Sequence, residues 1–222
     1  VETSAGMILP DDYLKAVAEA VHTSGGIFVL DCIASGAIWV DMEKCGVDIL
    51  ISAPQKGWSA SPCCALVMLN QRALERIETS TSTSFACDLK KWLQIMQAYE
   101  KGAHAYHATM PTDSLTRFRN AMFETIEYGL ENALADQLAL GRGVRNLLES
   151  KGIKSVAADG FQSLMSPWKC LVSLNISSML CTDDTSQPLM SPPNAVPANN
   201  LFMLCTDETS QALSSSSIMW TF

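Results

Sequence analysis

At 222 residues and 24.1 kDa, with a net charge of -8 and a pI near 4.8, the chain can bury a substantial core and carries no basic cluster that could track a phosphate backbone; nucleic acid is not an expected partner. No apolar run reaches the roughly 18 to 20 residues needed to span a bilayer, so no membrane role is expected. The eight cysteines are scattered through an apolar sequence in which no secretory signal peptide is recognised, and Cys63 and Cys64 are adjacent, a usage that points to reduced thiols in a cytoplasmic protein.

The chain begins at Val1, and Val1 to Met7 reads as the end of a strand entering a loop, as expected of a segment of a longer protein. After Glu2-Thr3-Ser4-Ala5-Gly6, the run Pro10-Asp11-Asp12 opens a helix whose apolar positions Leu14, Val17, Ala18 and Val21 recur at helical spacing. Asp11 or Asp12 is the expected N-cap and Gly25-Gly26 the stop. Ile27 to Leu30, halted by Asp31, then Val47 to Ser52 and Ala65 to Leu69 read as continuous apolar strands, the pattern of a sheet buried on both faces.

Helices are expected over 71 to 78 and within 88 to 101. A long amphipathic segment follows from about Thr112 to Ser150, in which Gly129, Gly141 and Gly143 argue against one unbroken helix. A strand is expected from Ile153 to Ala158. From about Gln162 the regular pattern gives way to Ser, Pro, Met and Cys, and Met179-Leu180-Cys181-Thr182-Asp183 recurs as Met203-Leu204-Cys205-Thr206-Asp207. Two copies are too few for a solenoid. The expected organisation is therefore a domain over 1–160 and an irregular, poorly ordered tail over 161–222, which could also depart from its ancestral reading frame.

Asp31 and Lys56 each follow a strand. In a parallel sheet the carboxyl ends of the strands share one rim, where ligands bind. An acid and a lysine meeting there suit pyridoxal phosphate, which needs a lysine to carry it and a carboxylate to hold its ring nitrogen protonated. By spacing alone the commoner reading of such a pair is a turn-capping acid and a solvated lysine.

Four stretches in order go further: Glu-Thr-Ser-Ala-Gly at 2 to 6, Leu-Asp-Cys-Ile-Ala-Ser at 30 to 35, Ser-Ala-Pro-Gln-Lys-Gly at 52 to 57, and Ala-Tyr-His-Ala-Thr-Met-Pro at 105 to 111. Together they resemble the class V pyridoxal-phosphate-dependent aminotransferases, nearest the alanine-glyoxylate and serine-glyoxylate (serine-pyruvate) enzymes, over about residues 1 to 160. The resemblance implies an α/β fold, part of the fold type I large domain with a mostly parallel sheet flanked by helices.

It also implies transamination between a small amino acid and glyoxylate or pyruvate. Lys56 would form the Schiff base and shuttle the proton, Asp31 would pair with the ring nitrogen, and Ile33 would pack on the ring face. Thr3 would bond the phenolic oxygen and Gln55 would reach the phosphate. Tyr106 and Thr109 would serve the phosphate of a neighbouring subunit, making a homodimer part of the site.

Taken singly, Ile33 also reads as strand core, Thr3 as a turn cap, Gln55 as a solvated neighbour, Tyr106 as a core tyrosine and Thr109 as a residue preceding a helix. Glutamine before the lysine departs from the histidine usual in cysteine desulfurases of the same superfamily. His22 reads as structural or exposed, and His104 and His107 lack the partners of a metal site. No arginine follows Arg145, whereas the resemblance implies a C-terminal arginine that holds the substrate carboxylate by its bidentate fork. A catalytically inactive remnant is therefore the alternative expectation.

Overall fold

The computed structural model describes residues 7–155, 157, 158, 160, 161 and 217–221. Helix α1 spans Asp11–Thr23, strand β1 Val29–Asp31, helix α2 Met42–Cys45, strand β2 Ile49–Ser52 and strand β3 Ala65–Leu69. Helices α3 (Gln71–Thr79), α4 (Leu89–Glu100), α5 (Thr112–Tyr128) and α6 (Leu130–Ser150) follow, and strand β4 (Ser217–Thr221) completes a sheet of order β1-β2-β3-β4.

The architecture is α/β, as expected, with a mixed sheet: β1 and β2 run parallel, while β2 with β3 and β3 with β4 run antiparallel. The link from Ser52 to Ala65 contains no helix. A parallel return needs a crossover element, and without one the chain doubles back.

Leu30, Leu50 and Met68 stand in register across β1 to β3 and face an apolar cluster that includes Leu14, Ala18, Phe28, Met42 and Val47. Ile49 and Leu69, also in register, face a second cluster with Ala73, Ile77, Trp92, Met96 and Phe118. Because successive side chains alternate across a strand, these clusters cover opposite faces of the sheet. Burial on both faces explains why the strands read as unbroken apolar runs.

The expected N-cap of α1 requires correction. Pro10 holds that position without a side-chain capping bond, and Asp11 and Asp12 lie in the first turn, where carboxylates face the positive end of the helix. Asp11 accepts a 2.8 Å hydrogen bond from Lys44 Nζ instead, which ties α1 to α2.

Gly129, at φ 99°, divides α5 from α6, whereas Gly141 and Gly143 sit inside α6. The described residues of 153–158 form no strand. Gly152 at φ 81° ends α6, and the Ile153 amide folds back onto the Leu148 carbonyl at 3.0 Å, an αL termination. Phe161 then returns to the start of the described chain, its carbonyl taking the Ile8 amide at 3.2 Å and its ring meeting Tyr13 edge-on at 5.4 Å. The expected loop at 2 to 6 and, apart from Phe161 and β4, the tail at 161–222 lie outside the described residues.

Candidate active site

Parallel β1 and β2 place Asp31 opposite Ile51, so the last residue of β1 and the exit of β2 share one rim. Beyond each strand the chain makes a tight loop. After β1, the Ile33 amide donates to Asp31 Oδ1 at 2.9 Å and the Ser35 amide and hydroxyl both donate to the Cys32 carbonyl. Asp31 and Ile33 are both half-buried, and the second Asp31 carboxylate oxygen has no hydrogen bond among the described residues.

After β2, buried Ala53 and Pro54 lead into a turn in which the Lys56 amide donates to the Ala53 carbonyl at 3.3 Å. The Ser59 amide then donates to the Lys56 carbonyl at 3.1 Å and the Ala60 amide to the Pro54 carbonyl at 3.0 Å. Ser59 adopts φ 56°, the one described non-glycine residue in the left-handed region. Gln55 and Lys56 project from this turn and are exposed, and the Lys56 amine makes no ion pair or hydrogen bond among the described residues.

The turn is anchored from behind. Trp58 packs in a tilted arrangement on Trp39 of the β1 loop, ring centroids 5.2 Å apart, and meets Phe118 of α5 edge-on at 5.8 Å, while Trp39 Nε1 donates to the Leu130 carbonyl at 2.9 Å. Indoles and backbone thus fix the two rim loops while Asp31 and Lys56 keep free valences. An exposed amine can take up a carbonyl, a carboxylate with a free oxygen can accept the proton of a ring nitrogen, and an exposed amide can meet a phosphate. These groups fit pyridoxal phosphate.

Tyr106 and Thr109 form a second group. The Tyr106 hydroxyl lies 3.0 Å from Thr109 Oγ1, both residues are exposed, and the tyrosine is 68% accessible. No hydrogen bond or ion pair joins them to the Asp31–Lys56 rim among the described residues. Their loop is pinned by His107, whose ring lies 4.1 Å from Phe85 and 4.9 Å from Trp92, with Nε2 3.0 Å from the Phe85 carbonyl oxygen. His104 packs against Tyr99 at 5.9 Å. Among the described residues, no group of three or more His, Cys, Asp or Glu side chains could hold a metal ion. Thr3 lies outside the described residues.

The sequence reading passed over Asp48, which is fully buried just before β2. Its carboxylate receives the Phe28 amide at 2.7 Å, His22 Nε2 at 2.8 Å and Asn70 Nδ2 at 3.0 Å, with Arg72 Nε 3.9 Å away. Burial works to raise its pKa, yet the bonds from Phe28, His22 and Asn70 together hold it below the ordinary value. The one local signal is an acid inside an apolar run; its partners lie 20 to 26 residues away.

Of the cysteines, Cys32, Cys45, Cys63, Cys64 and Cys87 are described, Cys32 and Cys45 buried and Cys87 exposed, with the Cys63 and Cys64 sulfurs 3.6 Å apart.

No established protein-family profile matches the chain. The fold is that of the fold type I aminotransferases: the crystal structure of an alanine-glyoxylate aminotransferase from Nostoc sp. superposes with a TM-score of 0.62 at 22% identity, over 73% of this chain and 42% of that one. By sequence, the chain is similar to alanine-glyoxylate aminotransferases and to other transaminases. The alanine-glyoxylate aminotransferase of Felis catus is 27% identical over 163 residues, which is 71% of this chain and 38% of the cat protein. The 2-aminoethylphosphonate-pyruvate transaminase of Paraburkholderia phymatum is 32% identical over 130 residues, 58% of this chain and 33% of that protein. The chain thus spans less than half the length of the curated relatives it matches.

Proposed function

We propose that this chain is the lysine-bearing part of a pyridoxal-phosphate-dependent aminotransferase that exchanges amino groups between a small amino acid, alanine or serine, and glyoxylate or pyruvate. The observation that carries the reading is an unpartnered amine and a half-satisfied carboxylate on adjoining rim loops, in a chain whose homologues are aminotransferases. Residues 1–160 are read as the partial large domain and 161–222 as an appended tail, in a cytoplasmic protein. Among the described residues no helix is long and apolar enough to cross a membrane.

In this reading Lys56 holds the cofactor covalently and moves the proton from the substrate's α carbon. Asp31 keeps the ring nitrogen protonated, with the Ile33 amide fixing one of its carboxylate oxygens. Ile33 packs on the ring, Thr3 bonds its phenolic oxygen, and Gln55 reaches the phosphate. When bound, the cofactor supplies an electron sink for the α-carbon bond. Tyr106 and Thr109, already joined at 3.0 Å and exposed, reach the phosphate of a second subunit, so the working unit is a homodimer.

A second reading is that of a catalytically inactive remnant which keeps the dimerising and cofactor-facing surfaces; residues 146–222 supply no arginine for a substrate carboxylate. A bidentate anchor supplies roughly 1.5 to 3 kcal/mol per charge-assisted hydrogen bond, and its loss weakens substrate capture by well over tenfold. The test is pyruvate release from alanine plus glyoxylate with cofactor in excess, beside the Lys56→Ala and Asp31→Asn variants. Turnover lost in both supports transamination, and turnover surviving in Lys56→Ala sinks it. A parent that fixes cofactor on Lys56 yet turns nothing over selects the remnant.

A further inference from the structure

We propose that Gly36 and Gly57 are positioning residues: their bare backbones seat the Lys56 turn on the Asp31 loop and so set the separation of amine and carboxylate. The inference rests on the reading of Lys56 and Asp31 given above. Gly57 follows the lysine directly, and a Cβ built on it would lie 2.2 Å from the Gly36 carbonyl oxygen and 2.6 Å from its carbon. Both are backbone atoms that no rotamer change can clear. A side chain at 57 must therefore push one loop off the other.

Gly36 is buried and holds φ at 67°, a conformation that strains any L residue with a side chain. The tilted Trp39–Trp58 ring contact at 5.2 Å ties the same two loops together, and Ser59 of the Lys56 turn holds φ 56°. A non-glycine residue kept at positive φ marks a turn that its surroundings over-determine. Glycine at 57 therefore answers to the close approach of two backbones. The chemistry needs such fixity, because the carbonyl and the ring nitrogen of pyridoxal phosphate stand on opposite sides of a rigid ring that cannot stretch to meet displaced partners. A misplacement of about 1 Å costs on the order of a hundredfold in well-oriented reactions.

The experiment compares the 222-residue chain with Gly57→Ala and, as a control, Gly143→Ala, where a Cβ meets nothing within 4 Å. Hydrogen exchange without cofactor reads the two loops. The probe is pyridoxal phosphate, read by the pH midpoint of its bound absorbance and by the yield fixed on the Lys56 peptide after borohydride reduction. Gly57→Ala is expected to raise exchange in 32–38 and 54–60 while β2 and β3 stay protected, to cut the Lys56 yield at least tenfold, and to move the pH midpoint. The control should change none of these. If Gly57→Ala does not fold, Gly36→Ala carries the same test. Unchanged loop exchange, or a full yield at Lys56 with an unmoved midpoint, overturns the proposal. If the parent chain itself fixes no cofactor on Lys56, the functional reading fails separately, and loop exchange alone decides whether the glycine contact positions the turn.

Discussion

Two aspartates flank the parallel strands, and the protein treats them in opposite ways. Asp48, entering β2, is fully buried and meets donors from α1, from the start of β1 and from the cap of α3. Asp31, leaving β1, is half-buried and holds one local bond. A buried charge survives only when fully satisfied, because a donor or acceptor stranded away from water costs about 1 to 3 kcal/mol and a broken buried ion pair about 3 to 5. Saturation marks the acid that builds the fold, and incomplete satisfaction on the rim that also carries Lys56 fits the ligand-facing role proposed for Asp31.

The sharpest way to break that contrast is truncation. Asp48→Ala strands the Phe28 amide and the Asn70 and His22 donors, and a loss of about 3 to 5 kcal/mol in urea unfolding is expected. Asp31→Ala should cost no more than about 1 kcal/mol. Equal losses, or the reverse order, would end the distinction.

Acid should test the buried Asp48 at smaller amplitude. The folded Asp48 carboxyl titrates below its ordinary 3.8 because the bonds from Phe28, His22 and Asn70 outweigh the burial that works to raise it. A depressed folded value means stability that is present above the unfolded value and lost as pH falls through the folded one. The urea midpoint of the parent should therefore drop as pH falls below 3.8, and this acid limb should flatten in Asp48→Asn. An unchanged limb in that variant would place the acid sensitivity elsewhere.

The smallest effect expected is a gain. Gly143 lies in α6 with open space about it, so Gly143→Ala should raise stability by up to about 1 kcal/mol through helix propensity. At Gly129, φ 99° and an Asn132 side chain 3.0 Å from a built Cβ make alanine a loss. A gain at both would mean that Gly129 is no true helix break.

What was legible in the sequence follows from how local each signal is. Strand β3 matches the apolar run from Ala65 to Leu69 to the residue, and α3 and α4 fall where periodicity puts them. The rim pair Asp31 and Lys56 came from motifs at the strand ends. Helix α2 was passed over, although Asp41 caps it by accepting the Lys44 amide and Gly46 ends it at φ 69°, because four residues are too few to show a period. Gly141 and Gly143 carry the same letter as Gly129, and only the backbone angles distinguish a break from a tolerated glycine. The Asp48 cluster and the Gly36–Gly57 contact are tertiary, joining segments 20 or more residues apart that no local pattern connects.

The most direct test of the central claim is chemical. The 222-residue chain is incubated with pyridoxal phosphate, reduced with borohydride, digested and mapped by mass spectrometry. The cofactor is expected on the peptide containing Lys56, with Lys44, Lys90 and the remaining lysines unlabelled above background. Labelling spread over the surface lysines, or concentrated at a lysine other than Lys56, would contradict the account.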